Sequence, residues 1–427
     1  MSERIVVGVD IGTTKVCALV ASADESGRIN VLGVGMAESD GLNRGVVVNI
    51  DRTVASVQKA VREAERAAGV EVRSVIVGIA GDHIQSDQSR GVITVSNRNR
   101  EITAADVHRL LEDTKQVAMP SDREILHVIP QEFIVDGQDG VADPVGMSGV
   151  RLEANVHIIT GLVSAAKNIH RCIEKAGYHV ADIVLEPLAS SYAVLHPDEK
   201  EVGVALIDIG GGTTDIAVFE DQTIRHTAVI AVAGNKVTDD IRRGLGVMRD
   251  QAERLKHVFG TALVDLADEE EEIMIPGIGG RPEKLVSRSV LAQIIQPRME
   301  EILEIAANEI KRSGYARHLS AGVVLTGGGS LVPGTAELAA DVLGVEARVG
   351  TPIGLAGGLV AEVSDPKFAT AVGLVLYGLR PEAIGGTPIE RDMGLRMRTP
   401  EEGPRPEIGD GVFGKISTRM RSWFDEL

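Results

Sequence analysis

Two aspartates, Asp10 and Asp208, each close an apolar run and each lead into a turn of glycine and threonine. A carboxylate at the end of a buried strand can hold a magnesium ion through the metal's water shell. The turn that follows can do the complementary work. Glycines let the backbone approach phosphate oxygens and aim successive N–H groups at them, and threonine hydroxyls add donors. The first turn offers Gly12, Thr13, Thr14 and Lys15, and the second offers Gly210, Gly211, Gly212, Thr213 and Thr214. A hairpin needs only an aspartate and a glycine to turn, so one copy alone says little. Two copies describe loops that grip the phosphates of ATP, and its magnesium, from opposite sides. A third element is the apolar run 323–326 entering Gly327, Gly328 and Gly329. Three bare residues leave a flat backbone surface for an aromatic base, and a plain strand-to-helix turn rarely needs three. Gly234, Asn235 and Lys236 lead into a stretch where Glu253 and Lys256 stand one helical turn apart on one face. Beside the other loops they read as ribose and adenine contacts, with a solvated ion pair as the competing reading.

Such groups need scaffolds, and the chain carries two similar ones. Residues 7–15 align with 206–215: an apolar strand, an aspartate, a hairpin and a second apolar strand. A repeat at that separation signals a duplicated domain. In the first copy the spacing predicts strands at 5–9, 16–20 and 75–80, and a helix over 52–68 that stops at Gly69. From 84 to 160 the texture changes. Short strand-like pieces at 91–95, 125–135 and 155–160 surround one helix over 104–117, whose start is signalled by Thr103 and Asp106. This reads as a small α+β insertion carried by the first lobe. A helix over 165–176, a strand at 183–185 and a helix opened by Glu186 complete that lobe, and the second begins at 202–209. Within the second lobe a helix is expected over 297–312, and the acidic run 265–272 reads as a solvated loop.

The chain has 427 residues, too many for one ordinary core. Its formal charge of −18 speaks against nucleic-acid binding, because a phosphate backbone repels such a surface. No signal peptide and no run long enough to span a bilayer is evident, which places the protein in the cytoplasm. Cys17 and Cys172 have neither metal nor redox spacing and read as small core residues. Residues 381–410, rich in proline, glycine and charge, read as a flexible linker. After it, Phe413, Ile416, Met420, Trp423, Phe424 and Leu427 fall on one arc of a helix, flanked by Lys415, Arg419 and Arg421. Such a helix lies in a membrane surface with its basic side chains reaching for lipid phosphates.

In their order along the chain, the two phosphate loops, the connecting helix and the adenosine loop resemble the actin/Hsp70/sugar-kinase ATPases. The Gly41-Leu42-Asn43-Arg44-Gly45 stretch, the insertion, Pro130-Gln131-Glu132-Phe133, the connector 186–190 and the terminal helix narrow the resemblance to the FtsA family of cell-division proteins. It covers residues 5–380 and the tail. The resemblance implies an α/β, actin-like two-lobed ATPase fold of duplicated ribonuclease-H-like domains, with an inserted α+β subdomain and a C-terminal amphipathic helix. Subdomain 1A would occupy 1–83 and 163–195, 1C 84–162, 2A 196–235 and 314–380, and 2B 236–313. A linker at 381–410 and the membrane-targeting helix at 411–427 would follow.

The same resemblance implies self-association into filaments with ATP bound, and tethering of FtsZ to the cytoplasmic face of the membrane at the division septum. The FtsZ C-terminal tail would meet 2B, where the helix over 297–312 carries Arg298, Lys311 and Arg312. Other division proteins would meet 1C. Glu186 and Asp208 would orient the water that attacks the γ-phosphate, Asp10 and Asp208 would share the magnesium shell, and Lys15 would touch phosphate. Nothing in the residues sets a turnover rate; hydrolysis could be slow, with ATP mainly controlling assembly. Three other readings stay open: a small-molecule kinase on the same core, a pilus-assembly scaffold related to FtsA, and a chaperone like Hsp70, which would need a β-rich peptide-binding domain.

Overall fold

The computed structural model describes residues 4–96, 99–115, 119–277, 279, 282–379 and 396–397. Residues 1–395 form one unit; of the second, 396–427, only the two-residue strand Arg396–Met397 is described. Apart from that strand, the expected linker and the tail residues Phe413, Ile416, Met420, Trp423, Phe424 and Leu427 lie outside the described residues.

The first lobe is built on strands Arg4–Ile11, Lys15–Ala23 and Ile29–Glu38, which pair antiparallel in sequence order. Ser74–Ile79 then adds parallel to the first of them, and His179–Leu185 adds parallel to Ser74–Ile79. The second lobe repeats this plan. Val204–Ile209, Thr214–Glu220 and Thr223–Ile230 pair antiparallel, and Val323–Thr326 and Ala347–Val349 extend the sheet in parallel. Both central strands are buried along almost their whole length, the pattern of a strand covered on both faces. Parallel neighbours need a crossover. In the first lobe the helix Ile50–Ala68 supplies it, held at its start by Asn49, whose side chain accepts from Arg52 N, and closed by Gly69 at φ 67°. Its Val57, Ala60, Val61 and Ala64 form the face buried on the sheet.

Residues 85–162 leave the first lobe as a separate four-stranded antiparallel sheet: Gln138–Val141, Arg123–Val135, Arg151–Leu162 and Gln85–Thr94. The helix Ala104–Thr114 covers it, with a complete Thr103–Asp106 capping box, and Ile102, Leu110 and Leu152 fill a small core of its own. This sheet also reaches the second lobe. Gln131 Nε2 donates to Ile224 O (2.9 Å) and Ser86 Oγ donates to Thr227 O (2.9 Å).

Two expectations are corrected. The helix expected to begin at Pro297 runs unbroken from Arg288 to Arg312 with Pro297 inside it. An internal proline costs about 3 kcal/mol, but Leu291, Ile295, Met299, Ile302 and Leu303 are all buried along one face, and that packing outweighs the lost bond. The acidic run 265–272 is largely exposed and outside the strands, as expected, and its last residue opens the strand Glu272–Ile275, which pairs with Lys284–Ser287, hiding Ile273 and Ile275 while Met274 faces out. The strand expected at 91–95 is Gln85–Thr94, because its first half is polar and lies on an exposed sheet face that apolar spacing does not reveal.

Candidate nucleotide site

Each central strand turns back on itself through a short hairpin, and the backbone shows which residues correspond. Gly12 N donates to Lys15 O at 3.0 Å, and Gly210 N to Thr213 O at 2.9 Å. Asp10 lies opposite Cys17, and Asp208 opposite Asp215. The two hairpins are therefore equal in length, with Thr13, Thr14 and Lys15 in the places of Gly211, Gly212 and Thr213. Likeness of residues would instead set threonine on threonine; hydrogen-bond register decides otherwise.

The tips of the hairpins touch. A β-carbon on Gly211 would lie 2.3 Å from Thr14 Cγ2, and one on Gly212 would lie 2.4 Å from Thr13 Oγ1. Glycine at both positions is thus demanded by the meeting of the lobes. Thr13 Oγ1 accepts from Gly45 N (3.2 Å), which ties the tip to the turn at 41–45. Thr213 Oγ1 donates to Asp215 Oδ2 (3.3 Å), whereas Thr214 is fully buried with its hydroxyl on Val232 O (2.8 Å), away from the turn's open side.

Four carboxylates gather behind the hairpins: Asp10, Asp208, Asp215 and, from the helix Glu186–Val194, Glu186. Burial raises all four above the ordinary carboxylate range, Asp10 to about 6. Their mutual repulsion adds to the rise: Asp208 acts on Asp10 and Asp215, and Asp10, Asp215 and Asp208 act on Glu186. Lys15, 4.0 Å from Asp10 Oδ2, opposes it; its Nζ also donates to Lys367 O and lies 4.8 Å from the centre of the Phe368 ring. Asp208 Oδ2 accepts from Ser190 Oγ (2.7 Å) and, at longer range, from Thr370 Oγ1 (3.4 Å). Asp215 Oδ1 is buried with no hydrogen-bond partner.

Three carboxylates beyond Asp10, one lysine and an orphaned buried oxygen make a cation-seeking arrangement. Among the described residues no three such side chains converge on one point to ligate an ion directly. The surplus of buried carboxylates and the orphaned Asp215 oxygen suit a cation that brings its own water shell. Sequence reasoning passed over Asp215, Ser190 and Thr370. Only Asp215 carried a signal, since an aspartate two residues beyond a hairpin faces back across the strand pair.

Beside the Asp208 strand, the three glycines do different things. Gly327 has φ 79°, and a β-carbon there would sit 2.2 Å from Asp208 Oδ1; one on Gly329 would meet Ile209 Cγ2 at 2.4 Å. Gly328 faces open space. Close packing of this loop on the Asp208 strand explains the outer two glycines, and only the middle one is left to receive a ligand. The helix Gly234–Leu245 begins with its first N–H groups already used: Gly234 N donates to Gly210 O (3.1 Å) and Asn235 N to Gly211 O (2.8 Å). These two residues brace the second hairpin, while Lys236 sits half-buried in the first turn.

Glu253 and Lys256 do pair, but not as a solvated pair. The Lys256 side chain is 8% exposed, and its Nζ donates to Glu253 Oε1 (2.8 Å), Thr238 Oγ1 (2.9 Å) and Gly234 O (3.3 Å). Despite burial, the bonds from His257, Lys256 and Thr238 hold the Glu253 carboxyl down at about 2. The network locks the start of helix Gly234–Leu245, and through it the second hairpin. Glu253→Gln is expected to cost about 2 kcal/mol by leaving a buried ammonium under-compensated, read as a lower urea midpoint at unchanged slope. An unchanged midpoint would mean that the pair contributes nothing.

Residues 205–373 match the family model described as cell division protein FtsA, and residues 81–160 match that of the SHS2 domain inserted in FtsA. Cell division protein FtsA of Pseudomonas aeruginosa is 46% identical over 384 residues, covering 90% of this chain and 91% of that protein. The Escherichia coli protein of the same name is 39% identical over 396 residues, covering 91% and 94%. Among solved structures, the PilM–PilN type IV pilus biogenesis complex aligns with a TM-score of 0.64 at 16% identity, over 88% of this chain and 98% of that one. MreB5 of Spiroplasma citri bound to ADP aligns at 0.52 and 15% identity, over 89% and 98%. At such identities the structures speak for the fold alone. It is the actin-like ATPase fold with an inserted domain.

Proposed function

The chain belongs to the cell division protein FtsA family, and on that premise we propose that it binds ATP and magnesium between its lobes, polymerises in that state and tethers FtsZ to the membrane. The observation that carries the nucleotide reading is the meeting of two glycine–threonine hairpins in front of buried, under-compensated carboxylates. A polyphosphate with its metal brings the cationic centre those carboxylates lack and takes up the backbone N–H groups of the turns. Relatives of this fold have been solved with ADP and with AMPPNP, as the MreB5 structures of Spiroplasma citri are titled.

In this proposal Asp10 and Asp208 hold waters of the magnesium shell, with Asp215 Oδ1 as a further acceptor at the same place. Bound magnesium would neutralise charge developing on the γ-phosphate. Glu186, with its carboxyl pushed upward by burial and by three neighbouring acids, would hold and orient water behind the phosphate. Lys15 would exchange its contact with Lys367 O for a phosphate oxygen. Gly328, held between the packed Gly327 and Gly329, would offer the base its bare backbone, and Lys236 and Glu253 would lie toward the ribose and adenine, with Lys256 bracing Glu253 from beneath.

In the same proposal, other division proteins would bind the inserted sheet and FtsZ the outer part of the second lobe. Membrane docking rests on residues 411–427. Trp423→Glu and Phe413→Glu are expected to weaken liposome co-sedimentation more than tenfold, since each puts a charge into an apolar surface. Ser422→Glu, off the apolar arc, should matter much less, and ATP binding should persist in all three. Equal losses in the three variants would show that net charge governs docking. The proposal as a whole is tested by electron microscopy on a lipid monolayer with FtsZ. Filaments that need ATP, magnesium and residues 411–427 are expected, and FtsZ bound to the monolayer without this protein would sink the tethering role.

A further inference from the structure

A cavity of about 990 Å³ opens where the inserted sheet, the helix Glu186–Val194 and the second-lobe strands come together. Its walls include Ile129, Phe133, Leu188, Leu195 and Ile224. At one side stands Lys200, whose ammonium lies 4.9 Å from the ring centres of both Tyr192 and Phe219. Its one hydrogen bond to another side chain among the described residues is a long one to Ser191 Oγ, at 3.5 Å. The neighbouring carboxylate, Glu199, is turned to Arg348, with bonds of 2.8 and 2.7 Å. Burial pushes the Lys200 ammonium down to about 8. Arg225 borders the same cavity, but two acids already compensate it: Nη2 bonds Asp221 (2.8 Å), and Nε, buried without a hydrogen-bond partner, lies 4.0 Å from Glu220 Oε2.

The acids on the rim already accept hydrogen bonds, and one of them, Asp221, has a cationic partner. Asp221 is held by Arg225, Asp143 accepts from Val145 N (3.0 Å), and Glu132 accepts from Asn155 Nδ2. What remains is a roomy space, largely apolar, with one under-compensated cation, Lys200, set between two aromatic faces at one end. A concave, mostly apolar space with a few convergent polar groups is the usual form of a small-molecule site.

We propose that this cavity binds a small organic carboxylate with an apolar tail or ring, its carboxylate held by Lys200 and its tail lying among Ile129, Phe133, Leu188 and Leu195. The site is separate from the nucleotide hairpins and does not depend on how they are read. Because three parts of the fold line it, an occupant that favours one arrangement of them would shift ATP affinity, and ATP would shift its affinity by the same factor.

The test is calorimetric titration of the full chain with octanoate, octylammonium and 1-octanol as probes. Saturable one-to-one binding of octanoate is expected, with both other probes at least about tenfold weaker, a difference of roughly 1.4 kcal/mol. Lys200→Gln should weaken octanoate at least about tenfold, Lys200→Arg should keep most of it, and ATP affinity without octanoate should be unchanged in both. In the unmodified protein, octanoate affinity should fall as pH rises past about 8, because the ammonium loses its proton while octanoate stays ionised. That arm decides the matter should Lys200→Gln fail to fold. No octanoate binding at millimolar concentration, octanol binding as tightly as octanoate, or affinity indifferent both to Lys200→Gln and to pH would overturn the proposal.

Discussion

Gly328→Val is expected to lower ATP affinity by about 100-fold, roughly 3 kcal/mol, while leaving the apo protein as stable as before. The reason lies in the contrast within one loop. A β-carbon on Gly328 meets nothing within 4 Å, so the apo fold has room for a side chain there. The space it fills is where a flat base would lie against bare backbone. Gly327→Ala should fail differently. With φ at 79° and Asp208 Oδ1 2.2 Å from the new atom, alanine strains the backbone and dislodges a carboxylate of the site, so stability and binding fall together. Thermal melts and ATP titrations on both variants separate the two effects. If Gly328→Val binds ATP as the unmodified chain does, the base does not lie on this loop.

The second large effect is expected from the buried carboxylates, and its sign runs against intuition. Burial raises Asp10 from 3.8 to about 6, with Lys15 pulling down and Asp208 pushing up. The folded apo protein thus keeps a proton that the unfolded chain gives up. That contribution to stability is complete below pH 4 and is lost as pH rises through about 6, a difference of about 3 kcal/mol for a shift of this size. Asp10→Asn removes the charge without changing shape. It should stabilise the apo protein at pH 7.5, change little at pH 4.5, and lose the extra stability that ATP and magnesium give the unmodified chain. Melting curves at the two pH values, with and without magnesium ATP, make the comparison. An Asp10→Asn protein less stable than the parent at pH 7.5 would show that the carboxylate is compensated in the folded state after all.

Local chemistry was legible in the residues. Turns and caps depend on a few adjacent positions, so Gly69 and the Thr103–Asp106 box could be read directly, as could the two Asp-to-glycine hairpins and the triple glycine. Alternation and helical spacing placed most strands and helices, and failed where local preference met a stronger distant term. Pro297 says that a helix begins, yet a buried face running from Leu291 to Ile310 carries the helix through it. Gln85–Arg90 is too polar to look like a strand, but pairs with ten consecutive residues of Arg151–Leu162 as part of Gln85–Thr94.

The candidate site shows where the division falls. The amino-acid order by itself determined that two phosphate-type turns exist, that an aspartate precedes each and that a bare loop follows, because each is a property of a few consecutive residues. Only the tertiary structure decided that Gly211 and Gly212 are small to let Thr14 and Thr13 approach, that Asp215 faces Asp208, and that Ser190 and Thr370 share one of its oxygens. It also decided that Lys256 is buried under the second hairpin. These contacts join residues up to about two hundred positions apart. Their distances are set by how whole lobes pack and by the hydrogen-bond register of the strands, and neither leaves a mark in the residues on either side.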